Sequence, residues 1–197
     1  PPDPALFPQR TPGAAGDNVQ LRVLPARRLW THRILAGEVL RDPPDVLFIP
    51  AHVVPFVLPP RRLPPTVVTV HDLGYHLFPA AHTARGRWYL EASTRWSVYA
   101  ARRVLAISRA TAADLVRFYA ADQNKIDVIY EATVPPPVYT PAPGADAPAL
   151  PRPYALFVGT IQPRKNLVRL AQADAKLAAA GDIGWALVRA GGEGWLS

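Results

Sequence analysis

The chain has 197 residues, including 24 prolines and no cysteine, and its net charge of +7 comes almost entirely from arginine. The lack of cysteine excludes disulfides, thiolate metal sites and a cysteine nucleophile, and it fits a reducing compartment. No apolar run approaches the roughly 20 residues of a membrane span, and the first residues lack the apolar core of a signal peptide. We therefore expect a cytoplasmic protein.

The basic charge is uneven along the chain. Residues 1–130 hold 16 Lys and Arg against 10 Asp and Glu, whereas residues 131–197 hold 6 against 5. Nucleic acid is not an expected partner, because the arginines are dispersed and not interleaved with aromatic residues. The basic excess suits peripheral contact with an anionic membrane, with the helix at 86–101 as the candidate contact surface. The alternative is that this helix is a plain solvated helix on the sheet. The arginines in or beside that helix are Arg85, Arg87, Arg95, Arg102 and Arg103.

The first part of the chain alternates helices with short apolar strands. Residues 1–25 are expected to be irregular. A helix across "RRLWTHRILAGEVLRD" should use Leu29, Trp30, Ile34 and Leu40 as its apolar residues. "DVLFIP", "TVVTV", "RVLAIS" and "IDVIY" read as strands that are apolar on both faces. This alternation predicts an α/β fold with a parallel sheet covered by helices.

Two further helices carry position-specific predictions. In the helix at 86–101, Arg87, Glu91 and Arg95 share a solvated stripe, while a different face holds Trp88, Ala92, Trp96 and Tyr99. The helix "SRATAADLVRFYA" should begin at an N-cap formed by Ser108 or Thr111.

Residues 135–153 hold eight prolines in nineteen positions and predict a stiff linker. The expected domains are therefore 1–134 and 154–197. The second begins one β-α-β unit, with strands "YALFV" and "WALVRAGG" around a helix that should end at a left-handed cap on Gly181. The predicted buried stripe of that helix is Leu167, Leu170, Ala171, Leu177 and Ala178. One such unit has too little core to stand alone.

The stretch "FVGTIQPRKNL" is a candidate anion site. Gly159 follows a parallel strand at its carboxyl end, where ligands bind in open α/β sheets. Arg164 offers a planar fork to phosphate oxygens and Lys165 a point charge, just before a helix that Asn166 should cap. The combination suits a diphosphate, and the alternative is a solvated basic loop.

"VTVHDLGY" places a second group of polar residues at a strand's carboxyl end. His71 is a candidate polar or acid/base group, and Gly74 lets the backbone approach a ligand. Alternatively, Asp72 caps a short helix and His71 is structural. The glycines Gly191 and Gly192 in "AGGEGW" follow another strand, and they either line the same ligand-binding cleft as these candidate sites or form a plain turn. The remaining histidines lack metal-ligand spacing and read as structural or exposed.

Six stretches together resemble a known family. "DVLFIPAHVVP", "TVVTVHDLGYHLFP", "RVLAISRATAADL", "KIDVIYEA", "YALFVGTIQPRKNL" and "ALVRAGGEGWL" occur in that order. They look like the family-4 (group 1) retaining glycosyltransferases of the GT-B fold, especially mannosyltransferase-like bacterial members. The resemblance covers about residues 26–197.

The resemblance implies two Rossmann-like domains that face a cleft, the first binding an acceptor and the second a nucleotide sugar. Here it implies an incomplete N-terminal Rossmann-like parallel sheet plus the first β-α-β unit of the second domain. His71 matches a catalytic histidine near the donor sugar and its phosphate. Gly159, Arg164 and Lys165 match the donor diphosphate site. The family normally needs no metal or other cofactor.

The chain also departs from the family pattern. Thr160 stands where many members have an arginine, and neither the family's glycine-rich opening loop nor its later glutamate pair occurs. A chain truncated at both ends is therefore expected. The predicted function is transfer of a sugar, such as mannose, from a nucleotide diphosphate sugar to a saccharide or lipid-linked acceptor, with retention, at the inner face of the membrane. The alternative is a non-catalytic nucleotide- or glycan-binding fragment.

Overall fold

A computed structural model of the protein describes residues 22–24, 29–51, 53–132, 150, 153–181 and 184–192, with Arg164 described for its main chain only. The chain divides into two compact units. The first unit is Pro1–Leu73 with Trp88–Glu131, and the second unit is Gly74–Arg87 with Ala132–Ser197. The predicted irregular segment 1–25 and the linker 135–153 lie almost entirely outside the described residues, so the predicted domain limits of 134 and 154 stay a prediction.

The first unit contains a four-stranded parallel sheet in the order β1-β2-β3-β4. The strands are β1 (Leu47–Ile49), β2 (Thr66–Val70), β3 (Arg103–Ala106) and β4 (Ile126–Val128). The helices along this part of the chain are α1 (Ala36–Arg41), α2 (Gly74–Leu77), α3 (Ala84–Ala100) and α4 (Arg109–Tyr119). Val68 pairs with Val104 across β2 and β3, and both are fully buried. The predicted α/β class with a parallel sheet is confirmed.

β1 is buried on one face only, so the prediction of a strand buried on both faces is wrong there. Leu47 and Ile49 are buried, while Phe48 between them is 56 % exposed. Among the described strands, β1 stands at the end of the order and pairs with β2 alone. Because successive side chains point to opposite faces, an edge strand without a covering layer exposes every second residue.

Helix α3 packs through a face that the sequence did not indicate. Its buried residues are Ser93, Thr94, Ser97 and Val98. Trp88, on the aromatic face, is 71 % exposed. Small side chains let a helix lie close to its neighbours. The buried Ser97 hydroxyl has hydrogen-bond partners, because Oγ donates to the Ser93 carbonyl at 2.7 Å and accepts from the Val54 N–H at 2.9 Å. The Arg95–Glu91 ion pair, with atoms 2.6 Å apart, confirms the solvated stripe.

The first helix begins with a π-helical turn at Trp30–Leu35 and continues as α1. Its buried residues are His32, Ala36 and Val39. The predicted apolar residue Leu40 is 48 % exposed, and Leu29 and Trp30 are 59 % and 41 % exposed, so the predicted stripe is wrong at three of its four residues. A π-turn has i→i+5 hydrogen bonds, which rotate the following residues relative to the 3.6-residue period that the prediction assumed.

Helix α4 settles the choice between two N-caps. Ser108 is the N-cap, and its side chain accepts a hydrogen bond from the Thr111 N–H at 3.1 Å. Thr111 lies inside the helix and is buried. Its hydroxyl makes a tertiary contact, because it donates a hydrogen bond to the His71 carbonyl at 3.0 Å.

The second unit contains β5 (Tyr154–Val158), α5 (Leu167–Ala179) and β6 (Ala186–Ala190), with β5 and β6 paired in parallel over five residues. Gly181 has φ 73° and its N–H donates to the Ala178 carbonyl, which confirms the predicted C-terminal cap. The predicted buried stripe is wrong, because α5 has no buried residue and Leu177 is 41 % exposed. Two strands offer too little apolar area to cover a helix. No described helix is both long and apolar enough to cross a membrane.

Candidate functional site

The second unit brings two predicted glycine segments together at the carboxyl ends of β5 and β6. The Gly159 N–H donates to the Ala190 carbonyl at 2.9 Å, and the Ile161 N–H donates to the Gly192 carbonyl at 3.1 Å. These hydrogen bonds place Gly159 and Thr160 beside Gly191 and Gly192. We call these four residues the glycine corner.

The glycine corner requires glycine at position 191. Gly191 has φ 141°, and a Cβ there would lie 2.1 Å from the Gly159 carbonyl oxygen. A real Cβ cannot approach that closely, and an L-residue rarely adopts this φ. Gly159 has φ 153°, which an L-residue also rarely adopts. The main chains therefore approach each other at the corner without side chains between them.

The predicted cations follow the corner in a short 3₁₀ turn, Pro163–Lys165. Lys165 is exposed, and its N–H donates to the Gln162 carbonyl at 2.9 Å. The Arg164 side chain lies outside the described part of the chain. Asn166 occupies the N-cap position of α5 but has φ 55° and makes no side-chain cap, so the prediction of a side-chain cap is wrong. Asparagine tolerates this left-handed conformation better than most residues.

Gln162 is a residue of this loop that the sequence reasoning missed. It is buried, and its Nε2 donates to Thr160 Oγ1 at 3.2 Å. This hydrogen bond links the corner to the turn that carries Lys165. A polar residue between a strand end and a helix start was the available signal, but the burial of Gln162 could not be read from the sequence.

The first unit holds His71 directly after β2, and three neighbouring segments contact it. Its Nδ1 lies 3.0 Å from Glu131 Oε1, and its Nε2 lies 2.9 Å from the Pro50 carbonyl oxygen. Its own carbonyl accepts a hydrogen bond from Thr111 Oγ1 at 3.0 Å. Pro50 follows β1, Thr111 lies in the first turn of α4 after β3, and Glu131 lies three residues after β4. The carboxyl ends of all four strands therefore contribute to one polar cluster.

The sequence reasoning did not identify Glu131 or Thr111 as site residues. The rule that identified His71, a polar residue after the carboxyl end of a strand, also applies to Glu131. Parallel strands place their carboxyl ends at one edge of a sheet, so a polar residue after β4 can meet one after β2. Asp72 follows His71 and is exposed, and Gly74 begins α2. Leu73 between them is 2 % exposed and anchors this segment in the first unit's core.

A buried histidine lies elsewhere in the first unit. His32 Nε2 lies 3.0 Å from the Tyr89 hydroxyl, and the His32 ring is 3.8 Å from the Phe56 ring between centroids. Burial lowers the pKa of His32 and raises the pKa of Tyr89, because each charged form loses hydration. Its Nδ1 is buried and makes no hydrogen bond to the described residues. The prediction that His32 is a structural residue fits this environment.

A cavity of about 650 Å³ lies in the first unit, at the amino ends of β3 and β4. The residues that line it include Trp96, Val104, Tyr119 and Ile126. None of the predicted site residues lines it. Within the described residues, no group of three or more His, Cys, Asp or Glu could hold a metal ion.

Comparisons with known proteins agree with the resemblance seen in the sequence. The family model Glycosyltransferase Family 4 matches residues 2–133, which include the His71 cluster. The chain is also 28 % identical over 177 residues to O-antigen chain mannosyltransferase B of Escherichia coli. That alignment covers 87 % of this chain and 43 % of the relative, so the chain spans less than half the length of this curated relative.

Proposed function

The chain belongs to glycosyltransferase family 4, and from this premise we propose that it is part of an enzyme that transfers mannose or a similar hexose. The donor is a nucleotide diphosphate sugar, and the acceptor is a saccharide or a lipid-linked saccharide. In the transfer, the bond between the sugar's anomeric carbon and the diphosphate breaks, and a bond to an acceptor oxygen forms with retention of configuration. The acceptor oxygen loses its proton, and the nucleoside diphosphate is released. The mannosyltransferase name of the relative supports the choice of sugar.

The glycine corner is the observation that carries this proposal. Glycines at the carboxyl ends of parallel strands let a ligand approach the main chain closely, and this is where ligands bind in open α/β sheets. The corner is followed within a few residues by two adjacent cations. We assign the donor diphosphate to this corner, with Lys165 and Arg164 as the groups that neutralise it. Fixed cations stabilise negative charge on a departing diphosphate, as a metal ion would, so no metal or other cofactor is proposed.

His71 is the proposed catalytic residue of the first unit, acting near the donor sugar and its phosphate. Its position after β2, its partial exposure and its fixed surroundings support this role. Asp72 and Gly74 are proposed to line the ligand cleft. Thr160, Gly191 and Gly192 are proposed to line the donor side.

A peripheral contact with an anionic membrane is a further part of the proposal, because lipid-linked acceptors lie there. Arg85, Arg87 and Arg102 are exposed and suit this role. The other two candidate arginines are less suited. Arg95 pairs with Glu91, and Arg103 forms a bidentate pair with Asp127. The expected location is the cytoplasmic face of the membrane.

A transfer assay tests the proposed function. The protein is incubated with a panel of nucleotide diphosphate hexoses and with oligosaccharide or polyprenyl-linked acceptors, and products are identified by mass spectrometry. We expect a hexose-extended acceptor whose anomeric configuration, read by NMR, matches the donor. The His71→Ala variant should lose about 10²-fold or more in kcat, as expected for loss of a group that stabilises developing negative charge.

The matched control for that variant is His82→Ala, a histidine outside the His71 cluster. Inversion of configuration would contradict the proposed mechanism. Donor binding without any transfer would instead identify the chain as a non-catalytic nucleotide-binding fragment.

A further inference from the structure

Both nitrogens of the His71 ring face oxygen atoms that only accept hydrogen bonds. Nδ1 faces the carboxylate of Glu131 at 3.0 Å, and Nε2 faces the carbonyl of Pro50 at 2.9 Å. A neutral imidazole carries one N–H, and its other nitrogen is an acceptor. In a neutral ring, therefore, the unprotonated nitrogen would face an oxygen atom although both atoms are hydrogen-bond acceptors. Both contacts are hydrogen bonds only when the ring carries two protons.

We propose that Glu131 is a positioning residue that holds the His71 ring as a doubly protonated, fixed donor at the carboxyl edge of the first unit's sheet. Glu131 faces Nδ1, and the Pro50 carbonyl faces Nε2, so the ring is held from both sides. Thr111 fixes the main chain, because its buried hydroxyl donates to the His71 carbonyl at 3.0 Å. Asp72, which follows His71 in the chain, adds a second negative charge to the segment.

This arrangement determines what His71 does in the proposed transfer, and this part of the inference rests on the proposed function. A ring with both N–H groups donated to the protein cannot take a proton from an acceptor hydroxyl. It can present a localised positive charge to the negative charge that develops on the departing diphosphate. His71 is thus assigned an electrostatic role, and Glu131 acts through it without contact to the substrate.

Acylation of histidine by diethyl pyrocarbonate tests the pair without any sugar donor. The reagent reacts with an unprotonated ring nitrogen, and peptide mass spectrometry measures the rate at each histidine. In Glu131→Gln the rate at His71 should rise about two- to fivefold, the change expected from loss of an exposed ion pair. Glu131→Asp keeps the charge and should restore most of the protection. Glu38→Gln removes a carboxylate that pairs with Arg22 and Arg41 in the same unit, and it should leave the His71 rate unchanged.

The rates at His76 and His82 report on the fold in every variant and should stay constant. An equal His71 rate in the wild type and Glu131→Gln would overturn the inference. A second measurement needs no variant. The ring NMR spectrum of the wild type at about pH 6 should show both His71 N–H hydrogens protected from exchange, since both are hydrogen-bonded. Detection of only one protected N–H would also overturn the inference.

These experiments test the contact between Glu131 and His71 separately from the proposed function. Protection of His71 by Glu131 in a protein that transfers no sugar would leave the pair intact and refute the function. Transfer of sugar by a protein whose His71 does not respond to Glu131 would leave the function intact and refute the pair.

Discussion

The two units hold their site residues by different means. In the first unit, the side chains of Glu131 and Thr111 and the main-chain carbonyl of Pro50, which follow three neighbouring strands, fix His71, and the sheet beneath them holds fully buried valines. In the second unit, the main chain forms the corner, and no residue of α5 is buried. A side-chain network depends on a packed core beneath it, whereas a glycine corner depends on local φ angles. The units should therefore respond differently to the same kind of substitution.

The largest difference is expected from matched truncations of leucine. Leu115 in α4 is fully buried, so Leu115→Ala should lower the free energy of unfolding by about 2–5 kcal/mol. Leu177 in α5 is 41 % exposed, and Leu177→Ala should cost less than about 1 kcal/mol. Urea denaturation followed by circular dichroism measures both. Equal losses would show that the contrast in burial does not govern stability.

A smaller and local effect is expected at the glycine corner. In Gly191→Ala the new Cβ meets the Gly159 carbonyl oxygen, so the strand ends must separate. The Gly159 amide should then lose about 1–3 kcal/mol of protection against hydrogen exchange, the usual cost of a strained backbone position. Gly192→Ala is the matched control, because a Cβ there has open space around it. Equal protection in both variants would contradict the described geometry.

The smallest effect is a pH dependence that belongs to the first unit. Burial lowers the pKa of His32, so below the ordinary histidine pKa of about 6.5 the unfolded chain binds a proton that the folded chain does not. The contribution of His32 to the free energy of unfolding should therefore be constant above about pH 6.5 and fall as the pH drops below it. His32→Phe should remove this slope in denaturation curves taken at several pH values, and His82→Phe should keep it. A slope that survives in His32→Phe would exclude His32 as its source.

The sequence predicted the features that depend on local chemistry. The parallel strands, an N-cap at Ser108 or Thr111, the Gly181 cap and the strand-end glycines were all visible as residue types at defined spacings. The features it missed depend on tertiary neighbours. Ser93 and Ser97 were not expected to be buried, and the partner that distinguishes Ser97, the Val54 N–H, lies 43 residues away and is supplied only by the fold.

The same limit applies to the site. His71 was found from its place after a strand, but Glu131 is 60 residues away and became visible only when the strand order was known. The π-helical turn at Trp30–Leu35 gave no signal in a search for a 3.6-residue period. The prediction for α5 failed for the opposite reason: the periodicity is present, but no described layer covers that face.

The most direct test of the donor site compares a nucleoside diphosphate with the matching monophosphate. Isothermal titration calorimetry would measure the affinity of each for the wild type, Lys165→Ala and the matched control Lys176→Ala, which removes an exposed lysine from α5. The account predicts that the diphosphate binds the wild type about tenfold more tightly than the monophosphate, as expected for additional charged hydrogen bonds. Lys165→Ala should remove most of this difference, and Lys176→Ala should preserve it. Equal affinities for the two nucleotides in the wild type, or an unchanged difference in Lys165→Ala, would contradict the assignment of the diphosphate to the glycine corner.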